Sequence, residues 1–293
     1  MIAGVRLPAQ NVCKLRIYSS VTSGVDIRSV RAATTAALDL VGSKAGYPLQ
    51  WGATEEELLE IELEEFAKKI DRGETHLGVV WGIEYGSLEK PFPKLEPMVL
   101  ADAGVNTYSE LFVGQKSGIN EIAQLQGKKI ALIRHMNLGD KLYFNEIARG
   151  QPDFFVIGRP YQKPREALEA VSNGDADCVI INAIRLGQVQ KEFGLRIKDG
   201  LTFLARSDQH STPVIFGRRD VVDKLRPGLW NRLTNEFCSI HETPEGKLLI
   251  EKWRFNKFTA DLQELQSWEK LVHTNLNRYN LKDVQRMREY LNQ

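Results

Sequence analysis

Short apolar runs alternate with stretches of helical period along most of this chain, and no other feature narrows its fold as much. Leu15–Tyr18, Leu49–Trp51 and Leu77–Trp81 read as strands. Between the first two, Val30, Ala33, Ala37 and Val41 recur at helical spacing, with Asp26 placed to cap that helix. Pro91, Pro93 and Pro97 break the pattern. A second series follows. Pro97–Asp102, Tyr108–Gln115, Ile130–Ile133, Phe154–Ile157 and Cys178–Ile181 read as strands, with helices over Asp140–Ala148 and from Pro164 to Gly174. Leu201–Arg206 and Val214–Phe216 are further strands. Beyond Asp220 the spacing is helical (Val222, Leu225, Leu229, Leu233, Phe237), Thr243-Pro244 opens another helix, and Leu281, Val284, Met287 and Leu291 mark a last one. Strands alternating with helices imply parallel sheets covered on both faces. The series breaks near 104 and closes near 210, so the expected architecture is two α/β lobes. Residues 1–104 plus 210–260 form the first and 105–209 the second, with 261–293 a C-terminal helical extension packed on the first.

Glu55–Ile70 reads as a helix with Leu59, Leu63, Phe66 and Ile70 on one face. Its acidic run is expected to be a solvated face with Glu64–Lys68 and Glu65–Lys69 pairs. Thirty-nine Lys and Arg against 38 Asp and Glu leave a net charge of +1, which excludes the basic footprint of bulk nucleic-acid binding. No run approaches the roughly 20 apolar residues that span a bilayer. Met1–Pro8 lacks the apolar core of about 7–15 residues of a signal peptide. The protein is therefore expected in the cytoplasm, or in the periplasm or another extracytoplasmic space if an export signal has been trimmed.

Several chemistries are missing. There is no GxGxxG after a strand, no Walker A, no HExxH and no GxSxG. Cys13, Cys178 and Cys238 lie far apart and form no CxxC, so neither a disulfide nor a cysteine zinc site is expected. No two of His76, His135, His210, His241 and His273 are near enough to make a local metal pair. Neither metal nor cofactor is expected. Cys178 opens an apolar strand, where a thiol is buried and inert.

Four passages give the chain a family resemblance. The first strand runs into the loop Ser19–Gly24; Asp71–Trp81 is DRGETHLGVVW; Ile122–Leu132 is IAQLQGKKIAL; Ala167–Ile181 is ALEAVSNGDADCVII. In this order they resemble the substrate-binding components of ABC importers, of the phosphate/phosphite/phosphonate-binding type, over roughly residues 14–260. The resemblance implies a two-lobe periplasmic-binding-protein-like fold of type 2, hinge strands and a ligand cleft between the lobes. Loops at strand C-termini and helix N-termini facing such a cleft suit an anionic or polar small ligand.

The resemblance also nominates contacts. Ser19, Ser20 and Thr22 offer hydroxyl donors, or simply cap and turn the chain. Trp81 and Tyr85 offer a wall and a phenolic donor, or simply pack the lobe. Arg134–Gly139 stands where the family places a Ser/Thr-rich anion loop. There Met136 and Leu138 cannot donate from their side chains, while Arg134, His135 and Asn137 can. Arg159 and Tyr161 stand near a position where family members often have a ligand-contacting His. Asn182 replaces a common Asp; an amide does not neutralise an ammonium group, which argues against 2-aminoethylphosphonate-like ligands. The expected function is a solute-binding receptor that closes on its ligand and presents it to an ABC permease, with no nucleic-acid partner. Two alternatives remain: an enzyme on the same fold, similar to menaquinone- or thiamin-pathway proteins with His135 as its base, and a ligand-sensing domain.

Overall fold

The computed structural model describes residues 12–18, 21, 27–51, 61–102, 108–134, 136, 138–151, 153–193 and 200–278. Eleven described strands form two sheets. The first holds β1 (Cys13–Ile17), β2 (Leu49–Trp51), β3 (Leu77–Trp81), β4 (Glu96–Asp102), β10 (Pro213–Gly217) and β11 (Lys257–Thr259), in the order β11-β4-β10-β3-β1-β2. The second holds β5 (Ser109–Gly114), β6 (Lys128–Ile130), β7 (Phe155–Ile157), β8 (Cys178–Asn182) and β9 (Leu201–Arg206), in the order β7-β6-β8-β5-β9. The helices are α1 (Ile27–Ala45), α2 (Leu63–Asp71), α3 (Gly82–Glu89), α4 (Leu138–Ala148), α5 (Pro164–Asn173), α6 (Ala183–Phe193), α7 (Arg219–Leu225), α8 (Leu229–Ser239), α9 (Pro244–Trp253) and α10 (Leu262–Arg278).

Continuous apolar runs became strands because the first sheet is buried on both faces. Along β10, Val214 and Phe216 enter one core with Phe66, Tyr85 and Trp268, while Ile215 enters another with Leu38, Leu77 and Phe237. The second sheet has its own core, with Leu111, Ile130, Val179 and Ile181 at its centre. Helix α5 ends as its sequence predicts, with Gly174 in the left-handed conformation at φ 86°.

Purely parallel sheets are not what forms. β1, β2 and β3 are parallel, as are β6, β7 and β8, but β10 runs against β3 and β4, β11 against β4, and β5 against β8 and β9. Connectivity is the reason. β4 leaves the first sheet at Asp102 and the chain re-enters the second as β5; β9 leaves at Arg206 and the chain returns as β10. A strand arriving from the opposite lobe runs against those that end facing it. The C-terminal ends of β1, β3 and β4, and of β6, β8 and β9, therefore all point into the gap between the lobes.

Other differences are local. The described part of the acidic helix is α2, with Glu65 paired to Lys68 at 3.5 Å instead of to Lys69. Beyond Asp220, β11 interrupts the helices by pairing with β4. The expected Asp26 cap and the helix of Leu281, Val284, Met287 and Leu291 lie outside the described residues. No described helix is long and apolar enough to cross a membrane.

Candidate ligand-binding site

Where the strand ends converge there is a cavity of about 100 Å³, several times the space that one water needs. Ile17, Val79, Ala101 and Ile215 line it from the first sheet, and Phe255 and Phe258 from the C-terminal segment. Asn182, Ile184, Arg185 and Gln188, at the end of β8 and the start of α6, line it from the opposite lobe.

Trp81 and Asn182 are thus brought together, one from each lobe. Trp81 is the last residue of β3, and its backbone N–H donates to the buried Glu84 carboxylate at 3.1 Å, which opens α3. Asn182 is buried, and its Oδ1 accepts from Ile184 N–H at 2.9 Å, starting α6. Asn182→Ala should lose that cap at a cost of about 1 kcal/mol in unfolding free energy, measurable by urea titration. Asn182→Asp keeps an acceptor there and should recover most of it.

Tyr85 does not reach the cavity. Its hydroxyl donates to the Leu95 carbonyl at 3.0 Å and its ring packs on Phe216 and Trp268, because this face of α3 is covered by α10. Arg134 is exposed and is not among the lining residues; its backbone N–H donates to the Tyr161 carbonyl. Ser19, Ser20, Thr22, His135 and Asn137 lie outside the described residues. Met136 is buried in the second core, Arg159 is exposed, and Tyr161 packs half-buried on that core. The Cys178 thiol is fully buried, which pushes its pKa up.

Beside the cavity is a buried polar cluster that the sequence reading missed. The two crossover segments pair where Ser109 N–H donates to Ser207 Oγ at 2.9 Å and Ser207 N–H donates back to the Ser109 carbonyl. Ser109 Oγ donates to Asp140 Oδ1 at 2.5 Å, in the first turn of α4. Ser207 Oγ donates to the Asp208 carbonyl, so at 3.0 Å it accepts from His210 Nε2, which carries the ring proton. Gly139 leaves room for this ring: a Cβ there would sit 2.8 Å from it. Burial lowers the His210 pKa to about 4. Arg185, 5% exposed, has its pKa lowered by burial and raised by the charge of Asp140. Helix α10 straps the 207–212 crossover: Trp268 Nε1 donates to the Thr212 carbonyl, Asn275 Nδ2 to the Gln209 carbonyl, and Arg278 bonds Asp208 and, across to α4, Glu146. One signal of this hinge was available, the polar run Ser207–Thr212 between strands of the two series.

The family model described as ABC transporter, phosphonate, periplasmic substrate-binding protein matches residues 60–264. Among solved structures, PhnD1 from Prochlorococcus marinus in complex with methylphosphonate is 11% identical, with a TM-score of 0.66 covering 91% of this chain and 98% of that one. XAC2383 from Xanthomonas citri bound to chloride ion is 15% identical, with a TM-score of 0.67 over 95% and 99%. The binding protein component PA3383 of an ABC phosphonate transporter from Pseudomonas aeruginosa is 13% identical, with a TM-score of 0.63 over 97% and 95%. At these identities the likeness is one of fold. No curated protein matches the chain in sequence.

Proposed function

This chain belongs to the periplasmic substrate-binding proteins of ABC phosphonate transporters, and on that premise we propose that it is the solute receptor of an importer, closing its two lobes on a small oxyanion. The observation that carries the reading is a cavity lined by Trp81 from one lobe and Asn182 from the other, at the C-terminal ends of their strands. Residues 1–104 plus 210–260 move against 105–209 about the two crossovers, with 261–293 riding on the first lobe. A ligand that touches both sides binds the closed form more tightly and shifts the population toward it. Closure presents the solute to a membrane permease, and no catalytic step is part of this reading. Ser19, Ser20, Thr22, His135 and Asn137 belong to the same proposal through their place in the sequence motifs. Methylphosphonate, bound by the Prochlorococcus protein, sets the first ligand to try.

A thermal-shift screen over phosphate, phosphite, alkylphosphonates, sulfonates and small carboxylates tests the reading. A true ligand raises the melting temperature with concentration, by about 2.7 kcal/mol of stabilisation at 100 times its Kd. Asn182→Asp, which adds a carboxylate to the cavity, should shrink that shift. If uncharged compounds shift the midpoint and no anion does, the oxyanion receptor is the wrong reading.

A further inference from the structure

Helix α4 serves both lobes. Tyr143, Phe144 and Ile147 turn into the second core. Gly139, Leu142 and Glu146, spaced i, i+3 and i+7 on a neighbouring stripe, instead meet the crossover, α3 and α10. Leu142 is 1% exposed yet takes no part in the second core. It is buried against Ile83 of α3, also 1% exposed, with Trp81 and Leu276 packed beside the pair. Ile83 in turn joins neither core of the first lobe. Each of these two side chains is therefore covered from the opposite lobe, and separating the lobes returns both to water.

Helix α10 ties the same gap a second time. It lies directly on α3 because Gly86 has no side chain: a Cβ there would overlap Val272 and sit 2.7 Å from Leu276. Trp268 and Asn275 fix α10 to the 207–212 crossover. From this anchored helix Arg278 reaches Glu146 of α4 at 2.6 Å while also holding Asp208. Leu142 and Glu146 are one turn apart, so the apolar contact and the ion pair span the gap side by side. Ile83, Leu142, Glu146, Leu276 and Arg278 are not among the described residues that line the cavity, whereas Trp81 belongs to both the cavity and the cluster.

We propose that the Leu142–Ile83 contact and the Arg278–Glu146 bridge form a latch that holds the two lobes together before any solute binds. The inference rests on the hinged-receptor reading above and adds the device that sets its open–closed balance. A latch of this kind raises the population that is competent to bind, and with it the apparent affinity, through residues that do not line the cavity. The test is the lobe separation in the protein with no solute added. Nitroxides at Glu74→Cys and Val156→Cys, both exposed and one in each lobe, report it by pulsed dipolar spectroscopy. A Cys238→Ser background removes the half-buried thiol, since Cys13 and Cys178 are buried. The wild type should show one dominant short separation. Leu142→Ala should move the closed-to-open ratio about ten-fold toward open. Glu146→Ala, which leaves Arg278 on Asp208, should move it about two- to three-fold. The double variant should show a dominant longer separation. If Leu142→Ala does not fold, Leu276→Ala with Glu146→Ala makes the same test on partly exposed side chains. A wild type already at the longer separation would overturn the latch and leave the receptor standing. A double variant that melts lower but keeps the wild-type separation would overturn it too, because the contacts would then be structural only. A short separation that opens in the variants, in a protein that no screened anion stabilises, would keep the latch and remove the oxyanion receptor.

Discussion

Phe216→Ala is expected to lower the unfolding free energy by about 3–5 kcal/mol, the usual cost of emptying a well-packed aromatic site. Phe216 is fully buried near the end of β10, between Phe66 at 6.3 Å and Tyr85 at 5.5 Å between ring centroids. Its ring lies over Gly78 of β3, where even a Cβ would come within 2.7 Å. The neighbouring backbones are tied into the sheet ladder and cannot collapse into the space left behind. Val156→Ala, at an edge-strand side chain that is 53% exposed, should stay within about 0.5 kcal/mol. Guanidinium denaturation of both variants checks this; equal costs would sink the packing account.

Acid should weaken the fold through His210. Its native pKa lies near 4 because burial disfavours the imidazolium, against an ordinary value of about 6.5 in the unfolded chain. Above pH 6.5 both states are neutral at this residue and its contribution is fully present. Between about 6.5 and 4 the unfolded chain binds a proton that the native protein refuses, so stability falls with pH, by about 3 kcal/mol at most. Below pH 4 the loss levels off. The surroundings agree with the sign: the ring meets the Ser109 and Ser207 hydroxyls and the N-terminus of α4 at Gly139, while the Asp140 carboxylate accepts from Ser109. Denaturant midpoints at pH 7, 5.5 and 4 should show the decline in the wild type and a shallower one in His210→Gln, which keeps an amide donor for Ser207. Parallel pH profiles for the two proteins would assign the acid sensitivity elsewhere.

Some strand positions were legible in the sequence because burial on both faces writes an unbroken apolar run, as at Cys178–Ile181, and others formed where shorter or mixed patterns predict them. Leu49–Trp51, Leu77–Trp81 and Leu201–Arg206 form over the residues that their patterns predict, and most other strands shift by one or two. The ends move because the last residue of a strand is set by its neighbour's length. Strand direction was not legible, since β5 and β10 read locally like any other apolar run and are reversed by chain crossings between lobes. The family was legible in four short passages, and so was one pair of cavity residues, Trp81 and Asn182, because both stand just where a strand ends.

The rest of the site depended on which faces meet. Tyr85 follows Trp81 by one helical turn, and only the docking of α10 decides that its phenol points into a core and bonds Leu95. Arg185, in α6, and Arg254, just past the end of α9, belong to different lobes and carry no local mark of a shared cavity. Gly139 looks like a turn residue until the His210 ring from the crossover is placed against it. By itself the sequence determined where this chain forms strands and helices and which family it resembles, because local periodicity and short motifs are properties of neighbouring residues. Only the tertiary structure decided strand polarity, the buried serine–histidine–aspartate cluster and the lining of the cavity from both lobes, because each arises from contact between segments far apart in the chain.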